Sequence, residues 1–180
     1  MIKHNPKDNF FHSFFVRPAI KFENQSATEE ILLMVRAHPL TQILCLLNCL
    51  VVVIFLLLID YFFGFYFTFN QLFFFNLLVI TILFNYLWFN FLAWYFNLGI
   101  ITNERVIDVD FSSVLYKEVT TAYYQKIEDV TVKTGGFFAS IVDYGNIFIQ
   151  TAGTEANIEF MNVPKPGLIA ETINDLIKKK

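Results

Sequence analysis

From residue 37 to residue 103 the chain is apolar at nearly every position, relieved by scattered Asn, Gln and Thr and by one formal charge, Asp60. Residues 40–59 and 72–92 are each about 20 residues long, and at about 1.5 Å rise per residue either run crosses an apolar layer about 30 Å thick. The avoidance of charge has an energetic reason, because a charged side chain at a bilayer centre costs about 2.5 to 3.5 kcal/mol on insertion scales. In a soluble protein, helices apolar on all sides need a covering layer, and a chain of 180 residues has none to spare. The pattern predicts a transmembrane two-helix hairpin over residues 39–97, with spans at about 40–60 and 72–94. Asp60 to Gln71, with Gly64 among seven Phe and Tyr residues, is the expected outer connection.

After Asn97 the pattern changes to alternation. VIDVDF at 106–111 puts Ile107, Val109 and Phe111 on one face of a strand and Asp108 and Asp110 on the other, wet face. Further strands are predicted at 114–124, 127–133, 147–151 and 157–163. Turn residues separate them: Asn103-Glu104, Ser112-Ser113, Gly135-Gly136, Asp143 to Asn146 and Gly153-Thr154. Beyond Pro164 and Pro166, the positions Ile169, Ile173, Leu176 and Ile177 recur at helical spacing, and Lys178 to Lys180 complement a helix C-terminus. An antiparallel meander that ends in one amphipathic helix implies a curled sheet or small barrel closed by that helix. Residues 1–38 form a mixed-charge tail expected to be mostly irregular, with an apolar patch at Phe10, Phe11, Phe14 and Phe15 and a short apolar run at 30–36.

The mean hydropathy of +0.51 averages two chemically different pieces, since all 13 basic and 15 of the 16 acidic residues lie outside 37–103. With a net charge of −3 and no basic cluster before the C-terminal tail to displace counterions, the composition argues against nucleic acid. Cys45 and Cys49, four apart in the first span, read as small apolar fillers, with no disulfide framework. The tail lacks the pattern of a cleaved signal, so the first span reads as an anchor. Lys21 and Arg36 precede the spans and Arg105 and Lys117 follow them, while the connection has no Lys or Arg. Both termini and the sheet domain are therefore expected on the cytoplasmic side of a multi-pass cell-membrane protein. Trp88, Trp94 and Tyr95 are expected at the cytoplasmic interface. Asn48, Asn76, Asn85 and Asn90 are the candidate interhelical contacts, because amides need partners in lipid.

In their order along the chain, EILLMVRAHP, IITNERVIDVD, YYQKIEDVTVKTGG, DYGNIFIQTAG and FMNVPKPGLIAETINDLI resemble the bacterial pleckstrin-homology-like (PH-like) domain of small membrane proteins that carry a preceding pair of transmembrane helices. The resemblance runs from Glu30 to about Ile177. It implies a split β barrel of about seven strands with a C-terminal capping helix, placed in residues 98–180 and held at the cytoplasmic membrane face. It implies no catalytic residues and no cofactor.

The residues themselves point the same way. The part from residue 98 onward has no Cys or His, and no base stands near Ser112, Ser113 or Ser140 in sequence. His4, His12 and His38 are too dispersed to form a metal site. The expected function is that of a membrane-anchored protein-interaction or scaffolding module, not an enzyme, with an unidentified protein partner and a possible homo-oligomer. One alternative is an anionic-lipid sensor, with contacts at Arg105, Lys117, Lys126, Lys133, Lys178, Lys179 and Lys180; eight basic against eleven acidic residues from Leu98 onward oppose a phosphoinositide pocket. The other is a small subunit of a transporter or envelope enzyme. In the turn of Asp143-Tyr144-Gly145, Gly145 is expected to supply a backbone geometry closed to other residues, with Tyr144 at a core edge.

Overall fold

Eight strands and four α-helices form among the residues that the computed structural model describes, namely 13–18, 22, 25–113, 116–152 and 157–179. Strands β1 (Phe14–Val16) and β2 (Ile31–Val35) precede helices α1 (Thr41–Phe63) and α2 (Phe69–Phe96). There follow β3 (Leu98–Thr102), β4 (Arg105–Ser113), β5 (Tyr116–Tyr123), β6 (Ile127–Lys133), α3 (Phe137–Val142), β7 (Tyr144–Thr151), β8 (Ile158–Pro164) and α4 (Pro166–Lys178). Residues up to Pro39 join those from Trp94 onward in one compact unit, and residues 40–93 form a second.

The first unit holds two antiparallel sheets, β1-β2-β3-β4-β5 and β6-β7-β8. Its main core draws Leu33, Ile101 and Val106 from the larger sheet, Ile147, Ile149 and Ile158 from the smaller, and Ile169 and Ile173 from α4. A second cluster, Ile31, Met34, Ile100 and Ile107, is covered by Phe15 and Phe22. The larger sheet is thus apolar on both faces. That explains why β2 and β3 read as continuous apolar runs, without the alternation of a half-exposed strand.

The pairing corrects two expectations. Met34 sits opposite Ile100 and Val35 opposite Gly99, so the segment before the helices is built into the sheet and is not an irregular tail; the sheet unit extends beyond 98–180. The expected barrel of about seven strands is instead eight strands in two separate sheets, with no closed barrel among the described residues. The predicted strands at 106–111, 114–124, 127–133, 147–151 and 157–163 correspond to β4 through β8, and the C-terminal helix is α4. Phe10, Phe11, Gly153, Thr154 and Lys180 lie outside the described residues.

Two glycines allow close approaches. A Cβ at Gly99 would meet the Phe160 ring at 2.5 Å, so its absence lets Phe160 of the smaller sheet lie on β3. At Gly145 a Cβ would stand 2.9 Å from the Lys133 carbonyl. The requirement there is space, not the special backbone geometry expected.

In the second unit, α1 and α2 span 23 and 28 residues, joined through a 3-10 turn at Gly64–Tyr66. Both are long and apolar enough to cross a membrane. The connection is shorter than expected, because α1 continues through Asp60. Asn76 Nδ2 of α2 donates to Asp60 Oδ2 at 2.8 Å. Asn85 and Asn90 instead donate to the Thr81 and Tyr86 carbonyls of their own helix, both at 2.8 Å, and Asn48 is exposed on α1. Of the four amides expected between helices, Asn76 makes that contact and Asn85 and Asn90 are satisfied internally, since a helical side chain reaches back to the carbonyl four residues before it. Cys45 and Cys49 are free and buried on one helical face.

Asn76→Leu is expected to weaken association of the two helices by about 0.6 to 2 kcal/mol, with Asn85→Leu and Asn90→Leu near neutral. Denaturant titration of the full chain in mild detergent measures the difference, and equal losses for all three would contradict this assignment.

Candidate functional site

The polar chemistry of the sheet unit is concentrated where the segment before β2 meets the β3–β4 turn. Glu29 is 4% exposed. Arg105 grips it with both ends of its guanidinium, Nε to Oε1 at 2.9 Å and Nη2 to Oε2 at 3.0 Å. The Thr102 hydroxyl donates to Oε1 at 2.9 Å and the Ser26 N–H donates to Oε2 at 3.2 Å. Beneath them the Tyr124 hydroxyl donates to the Thr102 carbonyl at 2.6 Å. Burial pushes the Glu29 carboxyl up, but the hydrogen bonds from Arg105, Thr102 and Ser26 outweigh it and hold it below the usual range. The Glu29 hydrogen bond raises Arg105, and burial, reinforced by the Glu29 charge, raises Tyr124. The arrangement is a buried, saturated ion pair that fastens residues 26–30 to the sheet.

Asp108 departs from its expected wet position. It is 7% exposed, on the face of β4 shared with the core residue Val106. Burial raises its carboxyl to about 7, the charges of Asp110 and Glu159 add to this, and backbone hydrogen bonds at Glu159 and Val109 oppose it. The exposed Asp110 is also raised, by partial burial and by Glu118 and Glu159.

The other candidate residues are dispersed. Arg105 is committed to Glu29. Lys126 precedes β6 and Lys133 ends it, about 20 Å away along an extended strand. Lys133 Nζ lies 4.5 Å from the centre of the Phe148 ring, and Lys178 and Lys179 are exposed at the end of α4. Lys117 lies opposite Phe111 in the β4–β5 register. Lys126 and Lys133 therefore cannot share one headgroup. Among the described residues, no group of three or more His, Cys, Asp or Glu is placed to hold a metal ion.

Three aromatic contacts were not legible from spacing. Trp94, expected at a lipid interface, is 5% exposed and donates Nε1 to the Ala37 carbonyl at 2.8 Å. Tyr144 stacks on His38 with ring centres 5.7 Å apart, and burial lowers the His38 imidazole. The Arg36 guanidinium lies 4.4 Å from the Tyr95 ring centre and 5.8 Å from that of Phe15.

The family of bacterial PH domains matches residues 31–177, taking in β2, both long helices, β3 through β8 and nearly all of α4. The chain belongs to this family. Among solved structures, a DUF1696 family protein with a pleckstrin-homology domain from Shewanella loihica PV-4 is similar at 20% identity, with 46% of this chain and 68% of that chain covered and a TM-score of 0.33. No curated protein matches the chain. In this bacterial PH domain protein, the family match thus begins at the first residue of β2.

Two pH limbs follow. The low Glu29 value means that its contribution to stability is present above the unfolded value of about 4.3 and is lost as pH falls through the lower folded value. Glu29→Gln is expected to cost about 3 to 5 kcal/mol near neutrality by leaving Arg105 without its carboxylate, and to abolish this acid limb. Asp108 has the opposite sign: between about 4 and about 7 the folded state holds a proton that the unfolded state has released, so stability falls as pH rises through that window. Asp108→Asn is expected to flatten that fall. Thermal melts of the full chain in detergent across pH 3 to 9 test both; an unchanged slope in Asp108→Asn would refute its assignment.

Proposed function

We propose that this bacterial PH domain protein is a membrane-anchored interaction module, with its sheet unit at the cytoplasmic face binding a protein partner and performing no chemistry itself. The observation that carries this reading is the insertion of the helices between two paired strands. Five residues separate Val35 of β2 from Thr41 of α1, and one separates Phe96 of α2 from Leu98 of β3. The side chains of the helices face outward in number, with Leu44, Phe55 and Phe84 more than 60% exposed, and such a surface needs apolar surroundings. A sheet tied by both ends to two spans cannot leave the bilayer surface.

Binding of a protein is favoured by the edge that the sheet presents. Strand β5 is terminal in the five-stranded sheet, and its Val119 and Tyr123, 51% and 48% exposed, lie on one face. A terminal strand with exposed apolar side chains can accept an added strand from a partner. The saturated Glu29–Arg105 pair and the dispersed lysines give less support to an anionic-lipid sensor. A subunit role in a transporter or envelope enzyme would be one form of the same partner binding.

A photoreactive side chain placed at Val119 in the full-length protein is expected to capture one recurrent protein in native membranes, a second copy being one possible identity. Adducts with lipid alone would sink the reading. Alkaline carbonate extraction tests the anchor separately, with retention in the membrane pellet as the expected result.

A further inference from the structure

Among the described residues Arg36 is a cation with aromatic neighbours and no carboxylate partner. It follows β2 directly, and its guanidinium lies 4.4 Å from the ring centre of Tyr95, in the last turn of α2, and 5.8 Å from that of Phe15 on β1. Among the described residues no carboxylate forms an ion pair with it, and its buried Nε has no hydrogen-bond partner. Arg105 shows what the fold does when a guanidinium is meant to be neutralised internally: it supplies Glu29 with two hydrogen bonds at 2.9 and 3.0 Å. Arg36 receives only aromatic faces. These attract a cation and fix its plane, but they leave its N–H groups without acceptors.

Chain position sets the surroundings. Five residues after β2 the first long helix begins, and Tyr95 is itself part of the second, so Arg36 is fastened to the end of one apolar helix and lies within a few residues of the start of the other. On the membrane reading proposed above, that is the depth of lipid headgroups. The chemical group found there that accepts from a planar N–H fork and carries the missing negative charge is a phosphate.

We infer that Arg36, clamped by Phe15 and Tyr95, binds the phosphate of a membrane lipid headgroup and so sets the depth of the sheet unit. The site is distinct from the lysines weighed as lipid contacts. It is one pre-positioned guanidinium, and so it selects the phosphate group rather than total negative charge.

Native mass spectrometry of the full-length protein in detergent micelles tests this, with phosphatidylglycerol or diacylglycerol of the same chain length added. Wild type is expected to retain one phosphatidylglycerol at least about tenfold more tightly than Arg36→Gln does, and to show no such preference for diacylglycerol, which has the tails without the phosphate. Arg36→Lys keeps the charge without the fork and should retain the lipid weakly. Tyr95→Leu keeps the guanidinium and loosens the clamp, so it should also weaken retention; these two variants decide the matter if Arg36→Gln does not fold. Inorganic phosphate is the remaining arm: displacement of the lipid by millimolar phosphate would show that the site takes free phosphate as well, overturning the lipid assignment. Equal retention of both lipids by wild type, or undiminished phosphatidylglycerol retention in all three variants, would also overturn it. If the protein is released by carbonate, the membrane reading fails along with this inference. If it stays in the pellet while the variants retain lipid normally, only this inference fails.

Discussion

The pairing of β2 with β3 is the constraint on which the rest of the chain depends. These strands are neighbours in the sheet but are separated in sequence by the whole apolar hairpin, so the sheet cannot be completed until both helices have been made and turned back. Entropy makes such a closure expensive for a floppy insert, but two stiff helices joined by a short turn return the chain close to where it left, which reduces the cost. The register then fixes Val35 against Gly99, and the glycine in turn lets Phe160 bring the smaller sheet onto the larger one. Strand pairing, sheet packing and the return of the helices are one structural problem with one solution.

Around that frame the fold treats its charges in three ways. Glu29 and Arg105 neutralise each other with paired hydrogen bonds, and removal of either leaves a charge in a desolvated place. Asp108 has no cation opposite it, so its folded state favours the proton, and backbone hydrogen bonds only partly offset that preference. Arg36, partly exposed, lies against the Tyr95 and Phe15 rings, with no carboxylate partner among the described residues. The first arrangement locks the segment before β2, the second makes stability depend on pH, and the third leaves an electrostatic demand that the described residues do not meet.

The legible parts of the fold were those in which one side chain pattern maps onto one environment. The two helices were plain because they are apolar at nearly every turn. Strands β4 through β8 were plain because turn residues bracket them, and α4 because Ile169, Ile173 and Ile177 recur at helical spacing. Strands β2 and β3 were obscured for a physical reason: their sheet is covered on both faces, so they do not alternate, and β3 continues the apolar run of α2 without a break. Asp108 was misplaced by the same cause. On a two-sided sheet an alternating Asp need not face water, and here the apolar Ile107 and Val109 pack in the second cluster while Asp108 turns toward the main core side. The Glu29–Arg105 pair joins residues 76 apart, a separation that no local motif announces.

The manner of attachment bears on what the sheet unit is suited to do. A domain held by a flexible linker is free to leave a membrane, and its surface charge can then decide whether it binds an anionic one. If the helices span a membrane, a sheet spliced directly to both has no such freedom, and net charge would add little to its placement, in keeping with the separation of Lys133 in β6 from Lys178 and Lys179 at the end of α4. On the membrane reading proposed above, attachment alone would not set the depth of the sheet unit. The Arg36 guanidinium beside Phe15 and Tyr95 would help to set it when bound to phosphate, since moving the sheet away from the surface would separate that charge from the headgroups. Holding the sheet unit at a constant depth would then present the β5 edge at the same height to every partner, and that is the property an interaction module fixed in place requires.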